Sequence, residues 1–234
     1  MKIMLIQAGT FSAEEIKARK DYAKSVCLPE TTIIMASVVE PATKPTHFPM
    51  FEVLVPGVLE RVKEAEQKGY DAVVIDCFTD VALEAAKTIA QIPIIGPFES
   101  SLHIAHLLAD KFGLIIPREE GIPSCLRLAK AHGMADRIAS IKAFNIPFLE
   151  FRNRKDKVEA KLAKLVQESV NEGAELIIIG CTALFPALGI GSARRLSEKL
   201  GIPLVDTIGL SLKLAETMVG LNLRHSRLAF LNIQ

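Results

Sequence analysis

Short apolar segments, rich in isoleucine and valine, recur along the 234-residue chain between glycine, proline and charged residues. Continuous runs such as Val-Val-Ile at 73–75 and Ile-Ile-Ile at 177–179 leave no polar face. Such runs are typical of strands that are covered on both sides in a parallel sheet. The pattern predicts strands at residues 2–7, 32–39, 72–76, 94–95, 112–116, 137–143, 176–180 and 204–205.

Helical periodicity fills the intervals between these strands. Apolar residues at i, i+3 and i+4 spacing predict helices over residues 55–65 and 158–170. Asp156 and Glu159 resemble a capping box at the start of the second of these helices. The alternation of strands and helices predicts an α/β fold with mainly parallel sheets.

The chain also contains an internal sequence repeat. KGYDAVVIDC at 68–77 matches EGAELIIIGC at 172–181 in pattern, with an offset of 104 residues. Ile-Pro-Ile-Ile at 92–95 recurs as Ile-Pro-Leu-Val at 202–205, with an offset of 110. The opening strand has a counterpart at 111–116, with an offset of 109. Three echoes at nearly one offset indicate a duplicated unit.

This duplication predicts two similar Rossmann-like α/β halves with parallel sheets, related by a pseudo-twofold axis. We place the first half at residues 1–108 and the second at 109–234, and leave the C-terminal segment free to pack back onto the first. Ligands of open α/β sheets bind beyond the carboxyl ends of the strands. We therefore expect the active site in the cleft between the halves.

Composition and charge exclude several classes of protein. Half the residues are apolar and 24% are charged, as in an ordinary globule rather than a disordered chain. A net charge of +1, without a block of one sign, argues against a nucleic-acid partner. No apolar run approaches the ~18 residues of a membrane span, and the apolar start is too short for a signal peptide. We expect a cytoplasmic protein whose partner is a small-molecule substrate.

Four cysteines stand far apart, so neither a zinc ribbon nor a redox dithiol is predicted. Cys77 and Cys181 each end a buried-type strand at equivalent points of the repeat, and core packing does not require a thiol at both. We interpret this pair as catalytic. Cys27 and Cys125 lack such an echo, and we interpret them as buried packing residues.

The turn after each of the paired cysteines offers backbone amides. We expect the amides of Phe78 and Thr79, and those of Thr182 and Ala183, to form anion-binding cradles at helix starts. The same helix N-termini are expected to lower the pKa of the thiols.

Two thiols that face one substrate carbon suit two-base inversion of a stereocentre. One thiolate removes a proton next to a carbonyl, and the opposite thiol returns a proton to the other face. The planar anion needs hydrogen-bond donors at its oxygen, which strand-end amides supply. This chemistry demands no metal, and we predict neither a metal nor another cofactor. No H-E-x-x-H, G-x-G-x-x-G or Walker pattern is present.

The sequence around both cysteines resembles a known group of enzymes. DCFTD at 76–80 resembles the first-cysteine motif of hydantoin racemases. GCTALFP at 180–186 resembles the second-cysteine motif of the wider aspartate/glutamate/hydantoin racemase superfamily, and IPIIGPFES at 92–100 resembles a segment that follows the first motif. The resemblance covers nearly the whole chain. It implies a cofactor-independent racemase, commonly a homo-oligomer.

By the same resemblance, Cys77 and Cys181 are the acid/base pair and Phe78, Thr79 and Thr182 line the substrate pocket. Gln7 and Ala183 complete the predicted substrate-binding set, and both depart from relatives. Glutamate racemases open with an Asp-Ser-Gly loop where this chain has Gln-Ala-Gly-Thr. They also carry histidine at the position of Ala183. Hydantoin racemases usually have Asn-Pro in the first loop, so this chain departs from them as well. A 5-substituted hydantoin or allantoin is the predicted substrate, because its acidic ring C–H suits a thiolate base and neither cysteine motif contains an arginine clamp.

Several alternatives stay open. An aspartate/glutamate-type amino acid racemase and a maleate-type cis-trans isomerase belong to the same superfamily. A non-catalytic solute-binding protein would also be built from two α/β halves. Arylmalonate decarboxylases retain only the second-half cysteine, so the presence of Cys77 counts against that activity.

A few other residues have an ordinary structural interpretation. We interpret residues 41–49 as a stiff proline-rich connection rather than a pocket wall, and His103 as a hydrogen-bonded helix residue. Asp80 and Asp206 are predicted helix caps. Finally, we predict that Arg224, His225 and Arg227 lie on the solvated surface.

Overall fold

The structure, a computed structural model, describes residues 1–8, 11–38, 52–147 and 150–231. The predicted alternation of strands and helices is confirmed. In chain order, the elements are β1 (Lys2–Gln7), α1 (Ala13–Val26), β2 (Thr32–Ser37), α2 (Val55–Gln67), β3 (Ala72–Asp76), α3 (Leu83–Ile89), β4 (Ile94–Ile95), α4 (Pro97–Leu108), β5 (Phe112–Ile116), α5 (Ile122–Ala131), β6 (Ile138–Ala143), α6 (Glu150–Asn153), α7 (Lys155–Asn171), β7 (Leu176–Ile179), α8 (Leu184–Leu188), α9 (Ser192–Leu200), β8 (Leu204–Asp206) and α10 (Thr207–Gly220). Short 3-10 turns at Glu119–Gly121 and Ala135–Arg137 flank α5.

The chain forms two compact units. One comprises residues 1–97 and 208–234, and the other comprises residues 98–207. We placed the boundary after residue 108, at the C-terminal end of α4, whereas this division falls at the start of that helix.

Each unit is built on a four-stranded parallel sheet. The strand order is β2-β1-β3-β4 in the first unit and β6-β5-β7-β8 in the second. The pairings are parallel throughout both sheets. The two orders are the same once β5 to β8 are matched to β1 to β4. The repeat in the sequence therefore corresponds to a duplicated sheet topology.

The strands that carry the continuous apolar runs lie inside their sheets. β3 pairs with β1 and β4, and β7 pairs with β5 and β8. Residues 72–75 and 176–179 are all fully buried. Side chains that point to either face are thus removed from water, which explains why neither strand alternates between apolar and polar positions.

Helix α10 follows the second unit in the chain but packs on the first. The Glu216 carboxylate accepts hydrogen bonds from the Leu28 amide at 2.7 Å and from the Thr31 hydroxyl at 2.6 Å. These contacts join positions that are more than 180 residues apart in sequence.

The C-terminal segment continues along the first unit. His225 Nε2 accepts a hydrogen bond from the Ile94 amide at 2.9 Å, and the Arg227 guanidinium donates to the Lys87 carbonyl at 3.2 Å. The prediction of a solvated surface is wrong for these two residues, because they satisfy backbone groups of β4 and α3. Arg224, by contrast, is exposed.

The capping box predicted at Asp156 and Glu159 is wrong. Helix α7 begins at residue 155, and no side chain caps its N-terminus. Glu159 instead forms an ion pair with Arg195 of α9, in which Nη1 lies 3.0 Å from the carboxylate. Asp156 and Glu159 have the spacing of a capping box, but α7 begins at residue 155, so Asp156 lies inside the helix rather than at its N-cap.

Gly96 allows close approach between the end of β4 and the loop that follows β3. A Cβ atom at this position would lie 2.5 Å from both Asp80 Cγ and Leu83 Cδ2. That loop is already unusual, because Asp80 and Ala82 have φ angles of 52° and 64°. Non-glycine residues rarely adopt this left-handed conformation.

We expect Gly96→Ala to lower the free energy of unfolding by about 1–3 kcal/mol, because an overpacked side chain must displace its neighbours. Gly220→Ala is the matched control, since no atom lies within 4 Å of the added Cβ. Urea denaturation followed by circular dichroism measures both. Equal stability of the two variants would contradict the close packing of Gly96.

Candidate active site

Cys77 lies immediately after β3, at the carboxyl end of an inner strand of the first sheet. Cys77 is only 7% exposed to solvent. The backbone turns at once, because the Asp80 amide donates to the Cys77 carbonyl at 3.0 Å. The thiol is therefore held by a tight loop on a rigid strand end.

The Cys77 sulfur is contacted by Thr79. The Sγ atom lies 3.1 Å from the Thr79 hydroxyl oxygen, and the Thr79 amide also hydrogen-bonds the cysteine. We predicted Thr79 as a substrate-binding residue whose amide is part of an anion cradle. In the structure its hydroxyl and its amide both hydrogen-bond Cys77. Its contact with substrate stays a prediction.

Burial raises the pKa of the Cys77 thiol to about 11, although the hydrogen bonds from Thr79 act in the opposite direction. The nearby carboxylates of Asp76 and Asp80 raise it further. The expected lowering by a helix N-terminus is wrong for this residue, because α3 begins only at Leu83. Cys77 is accordingly a thiol rather than a thiolate at neutral pH.

A buried ion pair is formed by Asp76, the residue that precedes Cys77. The Asp76 carboxylate accepts a hydrogen bond from Arg19 of α1, and both side chains are at least 94% buried. The Arg19 guanidinium also lies over the Phe11 ring, 4.1 Å from its centroid. Sequence reasoning missed Arg19. The signal was the aspartate at the end of a fully apolar strand, since a buried carboxylate requires a partner.

Gln7 ends β1 and pairs in register with Asp76 of β3. Its side chain is fully buried, and its Oε1 accepts a hydrogen bond from the Ser37 hydroxyl at 3.2 Å. Gln7 Nε2 and Asp76 Oδ1 have no hydrogen-bond partner among the described residues. The predicted substrate-binding residue Gln7 thus presents a buried donor at the same sheet edge as Cys77.

Cys181 occupies the matching position in the second unit. It follows β7 after Gly180, whose amide donates to the Ile115 carbonyl at 2.8 Å. The residue is 9% exposed, and its carbonyl accepts from the Leu184 amide at 3.2 Å. Like Cys77, it stands at the carboxyl end of an inner strand.

The other predicted binding residues lie beside the cysteines. Phe78 and Thr182 are buried, and Ala183 occupies the N-cap position of α8. Since α8 has only five residues, its dipole is a weak source of anion stabilisation. The substrate contacts of these residues stay predictions.

The remaining cysteines are buried away from the strand ends. Burial raises the pKa of Cys27 and of Cys125 to about 12. Cys125 lies within α5 and Cys27 ends α1, so both agree with a packing role. Residues 41–49, for which a stiff connection was predicted, lie outside the described residues.

Comparison with known proteins identifies the family. The model of the Asp/Glu/Hydantoin racemase family matches residues 27–215, which is more than half of the chain. The hydantoin racemase of Pseudomonas sp. strain NS671 is 31% identical over 233 residues, covering 97% of this chain and 90% of the relative. That of Paenarthrobacter aurescens is 32% identical over 174 residues, covering 73% and 71%.

A solved structure agrees with these sequence matches. The allantoin racemase of Klebsiella pneumoniae has a TM-score of 0.86 and 25% identity, covering 100% of this chain and 95% of that chain. The family match and these relatives thus define an α/β isomerase of the racemase class. The chain belongs to the Asp/Glu/hydantoin racemase family.

No helix in the described part of the chain is both long and apolar enough to span a bilayer.

We expect alkylation of Cys77 by iodoacetamide to accelerate about tenfold per pH unit from pH 7 to 10, because the thiolate is the nucleophile and its pKa is about 11. Thr79→Val should slow this reaction at a given pH, since the variant removes the hydroxyl from the sulfur, and Thr79→Ser is the matched control. Peptide mass spectrometry follows each cysteine separately. A rate that levels off near pH 8 would contradict the raised pKa.

Proposed function

We propose that this protein is a cofactor-independent racemase that uses Cys77 and Cys181 as its acid/base pair. One observation carries the proposal: each cysteine follows the inner strand, β3 or β7, that occupies the same place in its own sheet. The carboxyl ends of parallel strands are where α/β proteins hold their ligands. Family membership supports the reaction class, and the duplicated placement supports a paired role for the two thiols.

The proposed substrate is a 5-substituted hydantoin or allantoin. The loops after β3 and β7, residues 77–82 and 180–183, contain no lysine or arginine. Arg19, a buried cation of the first unit, is already paired with Asp76, the residue that precedes Cys77. These two loops therefore offer no cation to a substrate carboxylate, whereas a neutral cyclic amide needs none. The names of the relatives, hydantoin racemase and allantoin racemase, point to the same class.

The reaction proceeds by two proton transfers. One cysteine thiolate takes the proton from the ring carbon that bears the substituent, so that an S–H bond forms as the C–H bond breaks. The electron pair of that C–H bond passes to the neighbouring carbonyl oxygen as an enolate. The other cysteine then gives its proton to the opposite face of the carbon. Stereochemistry inverts, and the two cysteines exchange protonation states.

The raised pKa of Cys77 assigns its role at the start of a turnover. Two-base inversion requires one thiol and one thiolate, and a residue with a pKa of about 11 supplies the thiol at neutral pH. Cys77 then acts as the acid on one enantiomer, with Cys181 as the base. That turnover gives the Cys77 proton to the substrate carbon and leaves Cys77 as the thiolate, which is the base for the other enantiomer, and Thr79 stabilises this thiolate by its amide and hydroxyl.

The substrate class is tested with single enantiomers. We expect optical rotation to decay with 5-substituted hydantoins or allantoin and to persist with aspartate and glutamate, because the two loops carry no cation. Polarimetry against blanks without protein makes the measurement. Turnover of glutamate but not of hydantoins would contradict the substrate assignment. Binding of a hydantoin without any loss of rotation would favour a solute-binding protein.

The acid/base pair is tested by substitution in deuterated water. We expect Cys77→Ala and Cys181→Ala each to reduce racemisation by about 10²–10⁴-fold or more, since each removes a general acid–base group. The thiol that remains should still exchange the ring hydrogen of one enantiomer with retention, which proton NMR detects.

Cys27→Ala is the matched control for these variants. Its thiol is buried at the end of α1, and turnover should be unchanged. Full racemase activity in either strand-end variant would refute the two-base assignment. Racemisation by the unaltered protein without deuterium entering the stereocentre would exclude proton abstraction with solvent exchange.

A further inference from the structure

The second unit contains a group of three metal-ligating side chains that includes neither strand-end cysteine. Glu99 and His103 belong to α4, and His132 directly follows α5. One donor atom from each residue lies within 4.8 Å of the other two. We interpreted His103 from the sequence as an ordinary helix residue, and the structure places it in this cluster.

The local structure brings these side chains together from two elements. Glu99 and His103 are four residues apart, so both project from the same face of α4. His132 holds the C-cap position of α5, just before Gly133 with its positive φ of 68°. The imidazole rings of His103 and His132 meet edge to face, with centroids 5.7 Å apart and planes at 87°.

We propose that Glu99, His103 and His132 bind a divalent transition-metal ion, with Zn²⁺ as the best fit. Two imidazoles and one carboxylate form a donor set that zinc commonly takes, with a fourth position for water. Mg²⁺ and Ca²⁺ prefer sites made of oxygen atoms, and this cluster contains two nitrogen donors.

The donor atoms must move closer together to close the site around an ion. Bonds of about 2.0–2.1 Å on a tetrahedral ion place neighbouring donors about 3.3 Å apart, compared with the 4.8 Å limit observed here. His103 is exposed, whereas Glu99 and His132 are partly buried. The ion can therefore enter from solvent and reach the two less exposed ligands without opening the core.

The bound ion would cross-link two helices. It would join the first turns of α4 to the C-terminal end of α5, both within the second unit. Binding to the folded chain alone raises the free energy of unfolding by mass action, in proportion to ln(1 + c/Kd), where c is the concentration of free Zn²⁺. The proposal is independent of the racemase reaction, because none of its residues belongs to the predicted catalytic set.

The test compares zinc binding by the unaltered protein with binding by His103→Ala, His132→Ala and Glu99→Gln. His106→Ala is the matched control, because His106 is exposed on the same helix and lies outside the cluster. All proteins keep their four cysteines, so binding to thiols affects every sample alike. Isothermal titration calorimetry after removal of metal by a chelator gives stoichiometry and Kd, and thermal unfolding with and without Zn²⁺ gives the shift in Tm.

We expect one Zn²⁺ per chain and a rise in Tm for the unaltered protein and for His106→Ala. The three cluster variants should bind about tenfold or more weakly and lose the rise in Tm, because each lacks a ligand. Glu99→Gln, which keeps the side-chain size, serves where an alanine variant fails to fold. Absence of binding at micromolar Zn²⁺, or equal affinity in cluster and control variants, would overturn the proposal.

Discussion

The structure depends on the complete burial of two inner strands, β3 and β7. Residues 72–75 and 176–179 are apolar and fully buried on both faces, so the chain cannot place a polar side chain there without a partner. Beyond the carboxyl end of each strand the backbone turns into a loop, although the first side chains there are still buried. Cys77 and Cys181 stand at that limit, where rigid packing ends and chemistry becomes possible.

The same constraint explains the polar groups around Cys77. Asp76 is the last residue of β3 and lies in the apolar interior, so its charge requires the guanidinium of Arg19. Desolvation is the main influence on the neighbouring thiol and raises the pKa of Cys77, and the Asp76 carboxylate raises it further. Thr79 offsets part of this effect. A strand end built for packing thus also determines the protonation state from which catalysis would start.

The sequence predicted the regular parts of the fold well, because they follow from local patterns. Continuous apolar runs fixed β3 and β7, and helical periodicity located α2 and α7. The duplicated motif predicted a sheet topology that the two units share. Predictions failed where an outcome depended on distant residues. The pattern at Asp156 and Glu159 suited a capping box, yet Glu159 is paired with Arg195 of another helix.

The sequence by itself determined the α/β class, the duplication and the two strand-end cysteines, since spacing and hydrophobicity are local properties of the chain. Tertiary structure alone decided which side chains meet. It brought Arg19 to Asp76, Glu216 to Thr31 and His225 to the amide of Ile94. It also decided the pKa of Cys77, because burial depends on every element packed around the sulfur, and no motif of a few residues encodes it.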